Sequence, residues 1–369
     1  MEKETAEVVL AGGGAMGAAT AFHLAELGIT DVVLVERETL ASGSTGKSAG
    51  GIRAQFADEL NVRIALRSIA EFERFEELTG RPIDYAHDGY LFLLDTQEDL
   101  ARFRDALALQ ARLGVPSREL SVEEALELVP QLSPEGLVGA TFCPLDGRAT
   151  AEAVVAGYAE AAARRGVRIR QGETVEGIDA VGGRISGVVT TRRSIRTDTV
   201  VCAAGVWSPE VARLAGLDLP VRGEPRWIHF TPERGGLPSP LPLTVDFSTG
   251  FYLHTEGPGL AFGGREQTLE ALAEPATRRL PVLAELPVQS SWVGFYELSP
   301  DHNAIVGEAP DPARFLYATG FSGHGFQQAP AVGEHLAELV AGRTPTLDLS
   351  PFALERFARG TAREEAFDI

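Results

Sequence analysis

Cysteine is almost absent. The 369 residues hold two, Cys143 and Cys202, far apart and with no metal-type spacing around either. That excludes a disulfide scaffold and a thiolate zinc site. Both read as buried thiols, with a single disulfide as the alternative. Lysine is equally scarce, present only as Lys3 and Lys47. No apolar run reaches the length of a membrane span, so no transmembrane segment is expected. The opening Met1-Glu2-Lys3-Glu4 lacks the basic start of a secretory signal, which points to a cytoplasmic protein. Positive charge is short overall: 33 Lys and Arg stand against 52 Asp and Glu, a formal net charge of −19. Such a surface disfavours nucleic acid and anionic membranes as partners. No His/Cys/Asp cluster has metal spacing, so no metal is expected, and no G-x-S-x-G elbow marks a serine hydrolase.

What the chain has in quantity is glycine, 40 residues, and its placement is informative. Residues 8–11 form a short apolar run that meets Gly12, Gly14 and Gly17 in the spacing G-x-G-x-x-G, with Ala15 and Met16 between the last two. An alanine-rich helical pattern follows at once. In a strand–turn–helix unit the first glycine permits the turn and the second lets backbone approach a pyrophosphate. The third lets helix and strand pack closely. A second strand over residues 31–35 ends in Glu36, about twenty residues after the last glycine, where a ribose-binding acid belongs. Residues 37–56 are small and rich in backbone donors, as a loop along a phosphate or ring edge would be; the stretch includes Arg37, Ser44, Thr45, Lys47, Ser48, Ala49, Gly50 and Gly51. Gly46-Lys47-Ser48 also closes a near P-loop, but Ala41 stands where its first glycine would be.

Further along, helices are expected over residues 58–79, 97–113, 149–165 and 330–341, and one opened by a capping box at Ser121 and Glu124. Strands are expected over 88–94, 167–174 and 187–191 (around a turn at Gly182-Gly183), 199–202, 251–262, 291–297 and 315–320, with residues 142–148 a turn. Strand 199–202 runs into the small-residue turn Ala203-Ala204-Gly205 before Trp207, which can bring backbone close to a large cofactor. A glycine loop, 320–325, precedes Phe326 and Gln327. The length suits two domains or one with a large insertion.

Together these pieces resemble the amine-oxidising flavoprotein family of sarcosine oxidase, glycine oxidase, dimethylglycine dehydrogenase and the D-amino-acid oxidases. The resemblance rests on the N-terminal fingerprint with Glu36, the 43–53 loop, the 202–208 segment, and Ser299-Pro300-Asp301 to Gly307 followed by residues 318–325. It implies an α/β fold: a Rossmann-like FAD-binding domain built from residues 1–80, 145–215 and 300–369, and a mixed antiparallel-sheet α+β substrate domain from 81–144 and 216–299. It implies bound FAD, with the fingerprint glycines near its pyrophosphate, Val175 near the adenine, and Gly320, Gly323, His324 and Gly325 near the flavin's pyrimidine edge. A loop of N–H groups and a helix start would stabilise charge arriving there.

Arg53 matches the position that binds the substrate carboxylate in sarcosine oxidase-like members, and its planar fork suits a carboxylate. His324 is either an acid/base or a loop-stabilising contact. Tyr252, Tyr296 and Arg265 are further candidates for the pocket wall. Gln327 stands where a lysine is common, and the lysine tied to oxygen activation would fall near Ala261, so a dehydrogenase is favoured over an oxidase. Covalent flavin anchors of relatives fall at Gly294 and Lys47, which implies non-covalent FAD. The expected reaction is oxidation of the C–N bond of a small amino acid, sarcosine or proline favoured, by hydride transfer to give an imine. An electron carrier or second subunit is the further partner. Two alternatives stand beside it: an FAD-dependent 2-hydroxy-acid dehydrogenase, and a non-catalytic flavin-bearing subunit or assembly factor of a larger complex.

Overall fold

The computed structural model describes residues 2–367. Its centre is a six-stranded sheet whose order is Ile305–Glu308, Phe315–Thr319, Thr199–Cys202, Val8–Ala11, Val32–Glu36, Arg168–Gln171. Every neighbouring pair is parallel except the first. The strand Val8–Ala11 is buried along its length, as a central parallel strand must be. Helix Ala15–Glu26 crosses back over the sheet and packs against helices Ala151–Arg164 and Gly325–Val340. Small residues set that closeness: a Cβ on Gly333 would stand 2.8 Å from the Cβ of Ala19.

A second sheet of eight strands, mostly antiparallel, runs Ser290–Leu298, Arg222–Phe230, Gly259–Gly263, Tyr252–Glu256, Leu243–Asp246, Tyr90–Leu94, Gly139–Cys143, Arg118–Leu120. Its single parallel pair joins Leu243–Asp246 to Tyr90–Leu94. A four-stranded sheet flanks the first, and the short pair Gly51–Ile52 with Gly147–Arg148 lies beside the cavity described below.

The structure corrects several expectations. The hairpin at Gly182-Gly183 joins Val175–Val181 to Arg184–Thr190, whereas Arg168–Gln171 belongs to the central sheet. Val175–Val181 is largely exposed and buries only Ile178, so it has little apolar pattern to betray it. Residues 251–262 form two strands folded at Gly257, which has φ +54°. The long helix of residues 58–79 breaks into Glu59–Phe72 and Phe75–Thr79. Residues 142–148 are not all turn: they finish Gly139–Cys143 and supply Gly147–Arg148. The last long helix begins at Gly325, not residue 330, with Pro330 inside it. Proline favours a helix start, which misleads the sequence reading here.

Candidate active site

The parallel strands end on one side of their sheet, and a cavity of about 690 Å³ opens there, closed by the eight-stranded sheet. This is where an open α/β sheet places a ligand: outside the carboxyl ends of its strands. Residues at or just past the ends of four of those strands line it: Gly12, Glu36, Ala203 with Ala204 and Gly205, and Phe321 with Ser322.

The fingerprint takes the geometry its spacing implies. Gly12 has φ +114°, and a Cβ there would stand 2.3 Å from the Ala203 carbonyl oxygen. Gly14 caps helix Ala15–Glu26, which has neither a capping side chain nor an acid in its first turn. That leaves N–H groups and the positive end of the helix dipole directed at the cavity, a ready anion site. Ala15 N–H donates to Thr45 Oγ1 at 3.1 Å, tying the helix start to the 43–51 loop. The Glu36 carboxylate is fixed by two backbone donors, Gly13 N–H at 2.7 Å and Glu38 N–H at 2.8 Å. Met16, Arg37, Ser44, Thr45, Lys47, Ser48, Ala49, Gly50, Gly51 and Val175 share this wall. The Arg37 guanidinium lies 3.7 Å over the Trp207 ring, closing one end. Gly17 and Gly320, expected at the cofactor, lie off the cavity surface. A Cβ on Gly17 would strike the Gly12 carbonyl oxygen at 1.9 Å, and Gly320 turns tightly against Ser299 with φ +71°. Their roles are packing.

These features fit a dinucleotide: an uncapped helix N-terminus, a glycine cradle that a Cβ would fill, and an oriented acid at the next strand end. Gly294 and Lys47 meet here, a Cβ on Gly294 lying 3.3 Å from that of Lys47. Neither position holds a cysteine or a histidine.

At the other end stand Arg53, Tyr90, Tyr252, Tyr296, His324 and Gln327, with Phe326 beside them. Arg53 follows the short strand Gly51–Ile52, and its own N–H donates to Gln327 Oε1 at 2.6 Å. The next residues are pinned by Asp146, which accepts from Ala54 N–H at 2.7 Å and from Gln55 Nε2 at 3.1 Å. Burial pushes the Asp146 carboxyl up to about 6. The Arg53 guanidinium is 4.2 Å from the Phe56 ring centroid and is only 1% exposed. Its Nη2 donates to His324 Nε2 and to the Phe367 carbonyl oxygen, both at 2.9 Å, and Nη1 donates to the Gln55 carbonyl oxygen. With both Nη2 hydrogens used, neither edge of the guanidinium is open for a two-pronged grip. The expectation of a bidentate clamp is therefore corrected: Arg53 offers its charge and single N–H groups.

A guanidinium carries no lone pair, so His324 Nε2 is the acceptor and the ring proton sits on Nδ1. Burial, then Arg53 and His302, hold the His324 imidazole well below its usual range, so it is neutral. Burial likewise lifts the Tyr90 and Tyr252 hydroxyls well above theirs, so both stay protonated. Arg265, expected at this pocket, lies instead on a second cavity of about 560 Å³ beside Phe247 and residues 364–366. Tyr90, Glu297 and Phe367 escaped the sequence reading. Tyr90 reads as one more apolar strand residue and Glu297 as strand polarity, and no local pattern signals where Phe367 docks. Among the described residues no group of three or more His, Cys, Asp or Glu side chains could hold a metal, and no helix is long and apolar enough to cross a membrane.

The chain is similar to known proteins along almost its whole length. The family model described as FAD dependent oxidoreductase (DAO) matches residues 7–339. The chain is 30% identical to human mitochondrial sarcosine dehydrogenase over 96% of its own length and 41% of that protein's, so it spans about two-fifths of that relative. It is 31% identical to mouse FAD-dependent oxidoreductase domain-containing protein 1, covering 98% of this chain and 87% of that one. Among solved structures, L-proline dehydrogenase from P. horikoshii superposes with a TM-score of 0.90 at 32% identity, covering 97% of this chain and 99% of the other. The chain belongs to the DAO family of FAD-dependent oxidoreductases.

Proposed function

We propose that this protein oxidises the C–N bond of a small amino acid bearing a secondary amine, sarcosine or proline favoured, using non-covalently held FAD. The relatives named for sarcosine and L-proline dehydrogenation support that substrate class. The parallel-sheet segments (1–80, 145–215, 300–369) would carry FAD, and the eight-stranded sheet segments (81–144, 216–299) the substrate wall.

One observation carries the reading: Arg53 is locked, fully charged, against a neutral His324 in a chamber lined by Tyr90, Tyr252 and Tyr296. Bound FAD supplies the hydride acceptor. Arg53 draws the substrate carboxylate and orients the α-carbon, and the aromatic walls exclude water around it. The Tyr90 and Tyr252 hydroxyls, held protonated, can donate to the carboxylate. An amine entering unprotonated needs no side-chain base to lose hydride. Oxidation of a 2-hydroxy acid does need one, and His324 Nε2 is already occupied by Arg53. That favours the amine. The missing lysine near Ala261, a buried residue of strand Gly259–Gly263, supports a dehydrogenase.

The test is anaerobic addition of sarcosine, proline, glycine, D-amino acids and 2-hydroxy acids to the FAD-loaded protein, followed by absorbance. Bleaching of the flavin band by sarcosine or proline is expected, with slow recovery on admitting air. Bleaching by a 2-hydroxy acid alone overturns the amine reading. Loaded protein that nothing bleaches, and that co-purifies with a second chain, supports the non-catalytic subunit instead.

A further inference from the structure

Glu297, near the end of strand Ser290–Leu298, directs its carboxyl into the cavity wall. A Cβ on Gly205 would lie 3.9 Å from its Oε2, and one on Gly325 would lie 3.5 Å from its Oε1. The carboxyl therefore sits between the turn after Thr199–Cys202 and the first residue of helix Gly325–Val340, two backbone segments that both line the cavity. The Thr319 hydroxyl is 2.9 Å from Glu297 Oε2 and 3.1 Å from the Gly205 carbonyl oxygen. That hydroxyl has one hydrogen, and the carbonyl can only accept. The hydroxyl donates to Glu297 when the carboxyl is ionised, sharing or alternating with Gly205, and it can turn wholly to Gly205 and accept from Glu297 when the carboxyl is protonated.

The surroundings suit a proton that comes and goes. Besides Thr319, the groups facing the carboxyl are the N–H groups of Gly320 and Phe321 and the Cys202 thiol on the central strand. Among the described residues no arginine or lysine pairs with it. Burial pushes the Glu297 carboxyl up to about 7, and burial pushes the Cys202 thiol up to about 11, where it stays neutral.

We propose that Glu297 is a redox-linked proton acceptor: when two electrons and one proton enter bound FAD, the Glu297 carboxylate takes one further proton from water, and it returns that proton on reoxidation. The balance is two electrons and two protons taken up, the second proton forming the O–H of Glu297. The driving force is the negative charge that a two-electron, one-proton reduction leaves in a low-dielectric wall, which favours the neutral carboxyl. The proposal rests on FAD binding and not on the substrate assignment.

Equilibrium potentiometry of the FAD-loaded protein, with an electrode and dye mediators supplying electrons, separates the two readings. Below about pH 7 Glu297 is protonated in both redox states, so one proton accompanies two electrons. From there up to its raised value in the reduced protein, two protons do, so the slope of potential against pH steepens about twofold over that window. Glu297→Gln is expected to keep the shallow slope throughout. A wild-type slope that never steepens with rising pH, or that only becomes shallower, overturns the proposal. So does the same break in Glu297→Gln. Should that variant lose FAD, Thr319→Val replaces it: loss of the hydroxyl that donates to the carboxylate moves the break to higher pH, and an unmoved break overturns the proposal. Failure of every amine to bleach the flavin would sink the substrate assignment and leave this test standing.

Discussion

His324 Nε2 lies 2.9 Å from Nη2 of Arg53, in a contact where only the imidazole can accept. The pair joins residues far apart in sequence and fixes the tautomer of one and the orientation of the other. Because the folded state holds His324 neutral, it binds fewer protons there than in the unfolded chain. Stability from this group is therefore fully present above the unfolded value of about 6.5 and declines as pH falls below it, by up to about 1.4 kcal/mol per pH unit. His324→Gln keeps an acceptor for Arg53 and removes the titration. Denaturant melts at pH 7 and pH 5 are expected to show a larger loss for wild type than for the variant. An equal loss would mean that His324 is not held neutral.

Glu36 predicts the strength of cofactor binding. Its two oxygens accept from Gly13 and Glu38 N–H, so Glu36→Ala leaves two backbone donors without partners at the strand end. Hydrogen bonds to a charged group contribute about 1.5–3 kcal/mol. The FAD dissociation constant should rise about 10- to 100-fold, read by flavin fluorescence on dilution. Unfolding wild type with denaturant and filtering should release all the flavin, since Lys47 and Gly294 offer no cysteine or histidine for attachment. Flavin retained on the chain would contradict non-covalent binding.

The parts that were legible in the sequence share a physical cause. The fingerprint, Glu36 and the Ala203-Ala204-Gly205 turn are local, because a close backbone approach demands glycine or alanine whatever the rest of the chain does. Arg53 and His324 were visible as residue types but not as a pair, since a contact between positions 53 and 324 has no local signature. The same holds for the closure of Arg53's fork by the Phe367 carbonyl oxygen. Strand Val175–Val181 was missed because most of its side chains face water, and the start of helix Gly325–Val340 because Pro330 imitates one.

The docking of Phe367 has a measurable consequence. Its ring stacks on Phe103 with centroids 4.0 Å apart and planes within 10°, and meets Phe247 edge-on at 6.0 Å. Glu365 helps to hold the segment: its Oε1 accepts from Phe367 N–H at 3.0 Å and its Oε2 from Asn61 Nδ2 at 3.1 Å. Phe367→Ala should cost about 3–5 kcal/mol if the gap does not close, the usual range for a buried phenylalanine. Because the carbonyl that braces Arg53 moves with the ring, KM for the carboxylate substrate should rise more than kcat falls. Lost stability with an unchanged KM would show that the segment does not position Arg53.

Arg279 tests what holds the substrate wall in place. It ends helix Leu269–Arg279, is fully buried, and donates from Nε to Asp246 at 2.6 Å, from Nη2 to Asp95 at 2.9 Å and from Nη1 to the Ser133 carbonyl oxygen at 2.7 Å. Asp246 closes strand Leu243–Asp246, so one side chain fastens the helix to the eight-stranded sheet. Burial alone would raise the Asp246 carboxyl, but Arg279 beside it holds it below its usual range. A depressed carboxylate adds stability above its unfolded value, near 3.9, that is lost as pH falls through the folded one. Arg279→Met leaves the buried Asp246 carboxylate without a cation and Asp95 with Arg278 alone, which should cost about 3–5 kcal/mol at neutral pH. Adding Asp246→Asn and Asp95→Asn should recover much of that loss, because the penalty lies in the unpaired charges more than in the absent bridge. A triple variant no more stable than Arg279→Met would place the cost in packing instead. FAD affinity in both variants should stay near wild type, since none of these residues lines the dinucleotide end of the cavity.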